Sequence, residues 1–120
     1  MNPAELFRND PNPLVLRRGE TLFCAGDPAH EMFVLLEGEA EIIVGDIVVE
    51  TAGPGALLGE MALIEESPRS ATVVVTAECK FARISPSRFN FLVQQTPFFS
   101  VHVMKVLVDR LRAMNHRIAA

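Results

Sequence analysis

The sequence predicts an α+β protein in which an antiparallel β-roll or barrel is followed by helices. All seven glycines lie in the first half of the 120-residue chain, where they separate short apolar or alternating segments. Short strands at such close, turn-bounded spacing are typical of an antiparallel roll or barrel. After Ile84 the pattern changes, and two segments that begin with proline follow with apolar residues at helical spacing.

Seven strands are predicted between the turns, at residues 14–16, 21–24, 32–36, 40–44, 47–50, 70–75 and 80–84. Gly45-Asp46 separates two runs rich in Ile and Val, and a Gly-containing pair at that spacing predicts a tight hairpin. The cluster of Gly53, Pro54 and Gly55 predicts a loop. We therefore expect the roll to occupy about residues 14–84 of a single domain that spans residues 1–120.

Two helices are predicted over about residues 86–118. Ser85-Pro86 can cap and begin a short helix that runs to about Gln94, because proline is favoured in the first helical turn. Thr96-Pro97 begins a longer helix in the same way. That helix carries one apolar stripe, made of Met104, Leu107, Leu111, Met114 and Ile118, and a second apolar face, made of Phe99, Val103 and Val106. We expect the stripe to pack against the roll, with pairing of two copies in a homodimer as the alternative.

Composition excludes several classes of function. Hydrophobic residues make up 49% of the chain and charged residues 22%, which is ordinary for a globular protein. The net charge of −4 disfavours nucleic-acid binding, which needs a basic face. Because no apolar run approaches the roughly 18–20 residues of a membrane span, no membrane partner is expected. The N-terminus has neither a basic start nor an apolar core typical of a signal peptide, so a cytoplasmic location is predicted.

Catalytic and metal sites are not predicted. Cys24 and Cys79 are interpreted as small buried hydrophobic residues, because they lack the close spacing of metal ligands. His30 stands alone, while His102 and His116 fall on the predicted helix, so a histidine-based metal site on a roll is disfavoured. No Ser, His and acid spacing indicates a nucleophile with its base. We therefore expect a protein that is not an enzyme and has no metal or cofactor.

Residues 58–75, which read LGEMALIEESPRSATVVV, carry most of the functional information. Gly59 begins a short turn that presents the carboxylate of Glu60, and a loop then delivers Arg69 and the hydroxyl of Ser70. A guanidinium fork matches the oxygens of a phosphate, and an ionised carboxylate accepts hydrogen bonds from sugar hydroxyls. The pattern therefore suits a ligand that carries one phosphate charge and one sugar hydroxyl.

This stretch resembles the phosphate-binding cassette of the cyclic nucleotide-binding domain family, which includes bacterial catabolite activators and regulatory subunits of cyclic-AMP-dependent kinase. The family pattern is an aliphatic residue, Gly-Glu, any residue, a small residue and an aliphatic one, then a variable loop followed by Arg, a small or hydroxyl residue, Ala and a strand. Nine residues match it: Leu58, Gly59, Glu60, Ala62, Leu63, Arg69, Ser70, Ala71 and Val73.

The resemblance covers about residues 14–118 and implies a short N-terminal helix, an eight-stranded roll, and hinge and lid helices at the C-terminus. It implies that Arg69 and Ser70 bind the cyclic phosphate and that Glu60 binds the ribose 2′-hydroxyl. The turn containing Gly59, Met61 and Ala62 would bring backbone N–H groups close to the phosphate. Ala71 would leave space for the ring.

Recognition of the base is less sharply defined by the sequence. The resemblance implies that Ile42 and Val49 supply an apolar face and that Met114 and Asn115 of the helix lie against the base. Relatives of the activator type have hydroxyl residues at these two helix positions, and this chain does not. Met114 could instead be simply part of the apolar stripe. Cyclic AMP is predicted over cyclic GMP, although Ser70 resembles the Thr that many cyclic-GMP-binding relatives have after the arginine.

The function predicted from these features is a cytoplasmic sensor that binds a cyclic mononucleotide and signals through movement of the C-terminal helix to an unknown effector. Two alternatives remain at this stage. Arg69 could form a structural salt bridge with Glu60, Glu65 or Glu66. The chain could also be a member of the same fold that binds no nucleotide and acts through protein contacts or dimerisation. The sequence does not decide whether the chain is a module of a larger protein.

Overall fold

The computed structural model describes residues 2–65 and 67–119, with side chains described as far as residue 115. The helices are α1 (Pro3–Leu6), α2 (Met61–Ile64), α3 (Pro86–Gln95) and α4 (Pro97–Ala119). The strands are β1 (Leu14–Leu16), β2 (Thr21–Phe23), β3 (Met32–Glu37), β4 (Ala40–Val44), β5 (Ile47–Ala52), β6 (Leu57–Leu58), β7 (Thr72–Val75) and β8 (Cys79–Ile84). The eight strands, the short first helix and the C-terminal helices confirm the predicted α+β roll.

The strands form two four-stranded sheets, in the orders β1-β8-β3-β6 and β2-β7-β4-β5, and every pairing is antiparallel. The hairpin predicted at Gly45-Asp46 is confirmed, because Val44 pairs with Ile47 across these two residues. Gly45 has a φ of +62°, a left-handed conformation that costs glycine little and that a two-residue hairpin turn requires.

Two clusters of buried apolar side chains hold the fold together, and the first sheet contributes to both. On β3, Met32 and Val34 pack toward the helices, while Phe33 and Leu35 pack into the space between the sheets. This alternation follows from the two-residue period of a strand. Since both faces of β3 are covered, its residues 32–35 are all buried, which explains the continuous apolar run in the sequence.

Several boundaries differ from the prediction. The strand β6 was missed, because two residues after a Gly-Pro-Gly loop carry no periodicity of their own. Cys24 lies outside β2 and is exposed, where its backbone N–H donates to the Asp27 carboxylate, so its interpretation as a buried residue is wrong. Cys79 is buried as expected, and burial raises the pKa of its thiol. Ser70 and Ala71 precede β7, which begins at Thr72.

The Ser85 side chain accepts a hydrogen bond from the backbone N–H of Arg88 and caps α3, as the Ser-Pro pair predicts. A bend of 114° separates α3 from α4. Within residues 2–65 and 67–119, no single helix is long and apolar enough to cross a membrane, and only the bent pair α3 and α4 taken together meets that criterion of length and composition.

The orientation of α4 corrects one prediction. Phe99 and Val103 are buried, and Val106 packs against the same cluster, so the second apolar face contacts the protein. Of the predicted stripe only Leu107 packs against this cluster among the described side chains, so the stripe as a whole does not lie against the roll as expected. Its members Met104, Leu111 and Met114 are 56%, 57% and 59% exposed, because α4 turns its other face to the sheet. The side chain of Ile118 lies outside the described residues.

Candidate functional site

A cavity of about 410 Å³ opens between the second sheet, the segment from Leu58 to Ala62, the loop before β7, and α4. Its volume falls in the range of small-molecule sites. One end carries charged and hydroxyl groups, and the other is formed by aliphatic side chains of β4 and β5. The lining residues that matter below are Phe23, Ile42, Val49, Glu50, Gly59, Glu60, Met61, Ala62, Arg69, Ser70, Ala71, Arg110, Ala113 and Met114.

Arg69 is held at the polar end by its backbone and its side chain. Its backbone N–H donates to the Asp27 carbonyl at 2.9 Å, and its own carbonyl accepts from Gly26 at 2.8 Å. The guanidinium donates through Nη2 to the Glu31 carbonyl at 2.7 Å and through Nη1 to the Gly59 carbonyl at 3.3 Å. It also lies over the Phe23 ring, 4.2 Å from the centroid. These contacts fix the plane of the guanidinium.

The guanidinium of Arg69 is nevertheless incompletely paired. Arg69 is 8% exposed, and its Nε has no hydrogen-bond partner among the described residues. Burial lowers the pKa of this group, although the charges of Glu31, Asp27 and Glu60 oppose the effect. The alternative of a salt bridge with Glu60 or Glu65 is not observed in the described structure, and Glu66 lies outside it. A buried cation with an unpaired donor is suited to an anionic ligand.

The backbone at position 59 requires a glycine. Its φ is +75°, and a Cβ at this position would clash with Nη1 of Arg69. The next residue, Glu60, is 3% exposed and precedes α2. The N–H of Ala62 already donates to the Gly59 carbonyl at 3.3 Å, so any backbone donation to a ligand would come from earlier in the turn. Ala62 thus contributes its small side chain to the cavity wall.

Arg110 of α4, which the sequence analysis missed, connects the helix to the site. Its Nη1 donates to the Glu60 carboxylate, and its Nη2 donates to the Leu57 carbonyl at 2.7 Å. Nε and Nη2 also form a paired contact with the two carboxylate oxygens of Glu50, each at 3.0 Å. Burial lowers the pKa of Arg110, but the hydrogen bonds to Glu50 and the charge of Glu60 outweigh burial, so its pKa is raised overall.

The structure brings together most of the residues predicted to bind ligand. The cavity is lined by Ile42, Val49, Gly59, Glu60, Met61, Ala62, Arg69, Ser70, Ala71 and Met114. Asn115 is exposed and is not among the lining residues, because one residue beyond Met114 is turned about 100° around the helix axis. Arg110 precedes Met114 by four residues and therefore shares its helix face. The four-residue spacing from Met114 is the sequence feature that could have predicted Arg110 as a site residue. For Glu50 the sequence offers only its position in a predicted strand.

No group of three or more His, Cys, Asp or Glu side chains that could hold a metal ion occurs in the part of the chain that the structure describes. His102 lies on α4, and burial lowers the pKa of its imidazole. It lines a second cavity of about 260 Å³, together with Glu50, Leu57 and Arg110.

The chain belongs to the cyclic nucleotide-binding domain family, whose model matches residues 13–96. The Pycsar effector protein XpPycTIR of Xanthomonas perforans is 33% identical over 103 residues, which are 85% of this chain and 34% of that protein. A regulatory subunit of cAMP-dependent protein kinase from Colletotrichum orbiculare is 36% identical over 77 residues, covering 62% of this chain and 20% of that one. The chain thus spans about a third or less of the length of these relatives.

The solved structure of a cyclic nucleotide-binding domain from Methylobacillus flagellatus KT superposes with a TM-score of 0.76 and 27% identity, covering 88% of this chain and 64% of that one. Solved structures that share the fold also include cAMP-bound PfPKA-R, a protein of a cyclic-GMP-dependent signalling pathway and the c-di-GMP-responsive regulator CLP of Xanthomonas campestris. The likeness to these structures shows the fold, which does not by itself select the nucleotide.

Proposed function

We propose that the protein is a non-enzymatic sensor that binds a cyclic mononucleotide, with cyclic AMP as the preferred ligand. The single observation that carries this proposal is Arg69, a nearly buried cation with an unpaired Nε at the polar end of a 410 Å³ cavity. A cyclic phosphate has one negative charge and two exocyclic oxygens. The guanidinium of Arg69 can balance that charge and donate hydrogen bonds to those oxygens. The Ser70 hydroxyl lies at the same end and can donate to the same phosphate.

The ribose and the base are assigned to the remaining parts of the cavity. Glu60 accepts from Arg110 through one carboxylate oxygen, Oε1, so its other oxygen can accept from the ribose 2′-hydroxyl. Gly59 and Ala71 leave room for the sugar and the ring. Ile42 and Val49 form an apolar face for the base, and Met114 lies across the cavity on α4. The role predicted for Asn115 receives no support from its position.

Signalling is proposed to proceed through α4. Since Arg110 binds Glu60, Glu50 and the Leu57 carbonyl at once, the position of α4 depends on the groups that surround the ligand. The proposal gives α4 two positions, one with ligand bound and one without, and a ligand that contacts Glu60 and Met114 has different contacts in each. Only such a difference in affinity can shift the population of the two positions. An effector protein that reads α4 is part of this proposal, and nucleic acid and membrane partners are not.

The proposal is tested by titration calorimetry of the purified chain with cyclic AMP and, separately, with cyclic GMP. We expect dissociation constants in the micromolar range or below, with cyclic AMP the tighter ligand. Tighter binding of cyclic GMP would keep the sensor function and reverse the assignment of the base. Heat of dilution alone with both nucleotides would reject cyclic nucleotide sensing.

Dimerisation is a second candidate function, favoured by the exposed apolar residues of α4. Val101, Met104, Val108 and Leu111 follow one another at spacings of 3, 4 and 3, and they are between 45% and 60% exposed. This spacing is that of the apolar seam of a coiled coil, which a second copy of the helix would cover.

The location of the protein in the cytoplasm stays a prediction.

We expect sedimentation equilibrium to show a dimer that Val108→Lys weakens by at least about ten-fold, because pairing would bury an uncompensated charge. Thr51→Lys adds the same charge at an exposed position of β5 and should leave the dimer intact. A monomer in the presence and in the absence of nucleotide would exclude dimerisation.

A further inference from the structure

Glu50 is a charged residue on a face that is otherwise apolar. On β5 it pairs with Ile42 of β4, two residues before the pair formed by Ala52 and the buried Ala40. Because side chains two residues apart on a strand share a face, Glu50 points to the inner side of the sheet. The neighbouring lining residues of β4 and β5 are Ile42, Val44, Ile47 and Val49, all aliphatic. A register shift between Ile42 and Ile43 interrupts the alternation, so both Val49 and Glu50 line the cavity. Placing a carboxylate there has a cost unless a partner compensates for it.

Arg110 compensates for only part of the hydrogen-bonding capacity of Glu50. Each carboxylate oxygen accepts one hydrogen bond from Arg110, whereas a carboxylate has about four acceptor sites. The Glu50 side chain is 36% exposed and lines the cavity, so the remaining sites are open to a bound molecule. An ionised carboxylate can only accept, and it therefore favours a ligand that presents an N–H group.

The base end of the cavity offers few other polar groups. Met114 and Ala113 line it with apolar surface, and Asn115 is not part of the lining. Of the lining residues there, Glu50 and Arg110 carry the charges, and Arg110 is already bound to two carboxylates and a carbonyl. A purine edge that enters this end meets an acceptor at Glu50.

We propose that Glu50 is the residue that selects the base, by accepting a hydrogen bond from the 6-amino group of adenine. At position 6 adenine presents an amino donor, whereas guanine and hypoxanthine present a carbonyl oxygen, which a carboxylate facing that atom repels. The N–H donor that these two bases carry at N1 lies farther along the edge, outside the contact proposed for Glu50. This inference rests on the proposed binding of a cyclic mononucleotide and goes further by giving its specificity a physical cause. A role of Glu50 limited to holding Arg110 would affect all cyclic nucleotides equally, so the ratio of affinities separates the two roles.

The test compares cyclic AMP with cyclic IMP, in which an oxygen replaces the 6-amino group, by calorimetric titration of the parent chain and of Glu50→Gln. We expect the parent to prefer cyclic AMP by about ten-fold or more, the effect of one hydrogen bond to a charged group. In Glu50→Gln the preference should fall to within about three-fold, because an amide can both donate and accept. Glu41→Gln on β4, which lines neither cavity, should keep the preference of the parent.

The outcomes distinguish this inference from the function on which it rests. A parent chain that binds cyclic AMP and cyclic IMP equally, or a Glu50→Gln variant that keeps the parent's preference, would overturn the assignment of Glu50 and leave cyclic nucleotide binding intact. Weaker binding of both ligands by the same factor in Glu50→Gln would show a residue that only positions Arg110. If the parent binds neither ligand, the proposed function fails and the inference fails with it.

Discussion

Replacing Arg69 by alanine is expected to abolish binding of cyclic AMP at micromolar concentrations while the protein remains folded. An enclosed phosphate without its charged partner loses about 2–5 kcal/mol, which corresponds to roughly thirty-fold to several thousand-fold in affinity. The side chain is buried at the polar end of the cavity, and its Nε has no partner in the described chain. The loss should therefore appear in the dissociation constant measured by titration calorimetry.

The folded state should tolerate this substitution. Burial lowers the pKa of Arg69, which means that its surroundings disfavour the charged form and that alanine also removes an unfavourable term. The losses are the hydrogen bonds to Glu31 and Gly59 and the contact with Phe23, worth about 1–3 kcal/mol together. Thermal unfolding measures this change. Arg83→Ala, at an exposed position of β8, is the control, and an Arg69→Ala variant that binds as tightly as this control would refute the phosphate assignment.

The part of the site that could be predicted from sequence is the part whose residues are close along the chain. Four such residues lie within twelve positions: Gly59, Glu60, Arg69 and Ser70. The kind of ligand can be inferred from them because a glycine, a carboxylate, a guanidinium and a hydroxyl follow one another in this order. The structure places all four around one cavity. The rhythm of glycines and short apolar runs likewise predicts the roll, because turns and strand periods are local properties.

The missed features depend on contacts between distant segments. Arg110 meets Glu50 and Glu60 across separations of 60 and 50 residues, and no local pattern encodes such a meeting. The buried face of α4 was mispredicted for the same reason, because contacts with distant segments decide which face is buried. Two apolar faces compete for the sheet, and the face of Phe99 and Val103 is buried because it fits the cluster formed with Phe7 and Phe89. Helical periodicity alone does not rank two apolar faces.

The pKa values of the two arginines of the site are shifted in opposite directions, and this contrast separates their roles. Burial lowers the pKa of Arg69, and its Nε has no partner among the described residues, as expected of a group that binds an anionic ligand. Arg110 has its pKa raised, because the hydrogen bonds to Glu50 and the charge of Glu60 outweigh burial. The charged form of Arg110 is thus stabilised within the protein itself, and removing it should affect stability.

Arg110→Ala is expected to lower the free energy of unfolding by about 2–4 kcal/mol. The estimate lies somewhat below the cost of breaking a fully buried ion pair, because the Arg110 side chain is 25% exposed. The substitution leaves the buried Glu60 carboxylate without its cation and removes the contacts of α4 with Glu50 and the Leu57 carbonyl. Urea denaturation followed by circular dichroism measures the change.

The matched control is Arg112→Ala, which removes the same charge from an exposed position on the same helix and should change stability by less than about 0.5 kcal/mol. A double-mutant cycle that combines Arg110→Ala with Glu60→Gln should give a coupling energy of about 1.5 kcal/mol or more, since the two side chains are in direct contact. If Arg110→Ala proves as stable as Arg112→Ala, or if the cycle shows no coupling, α4 is not held on the site by Arg110, and movement of the helix must be linked to the ligand by other contacts, of which Met114 is the first to test.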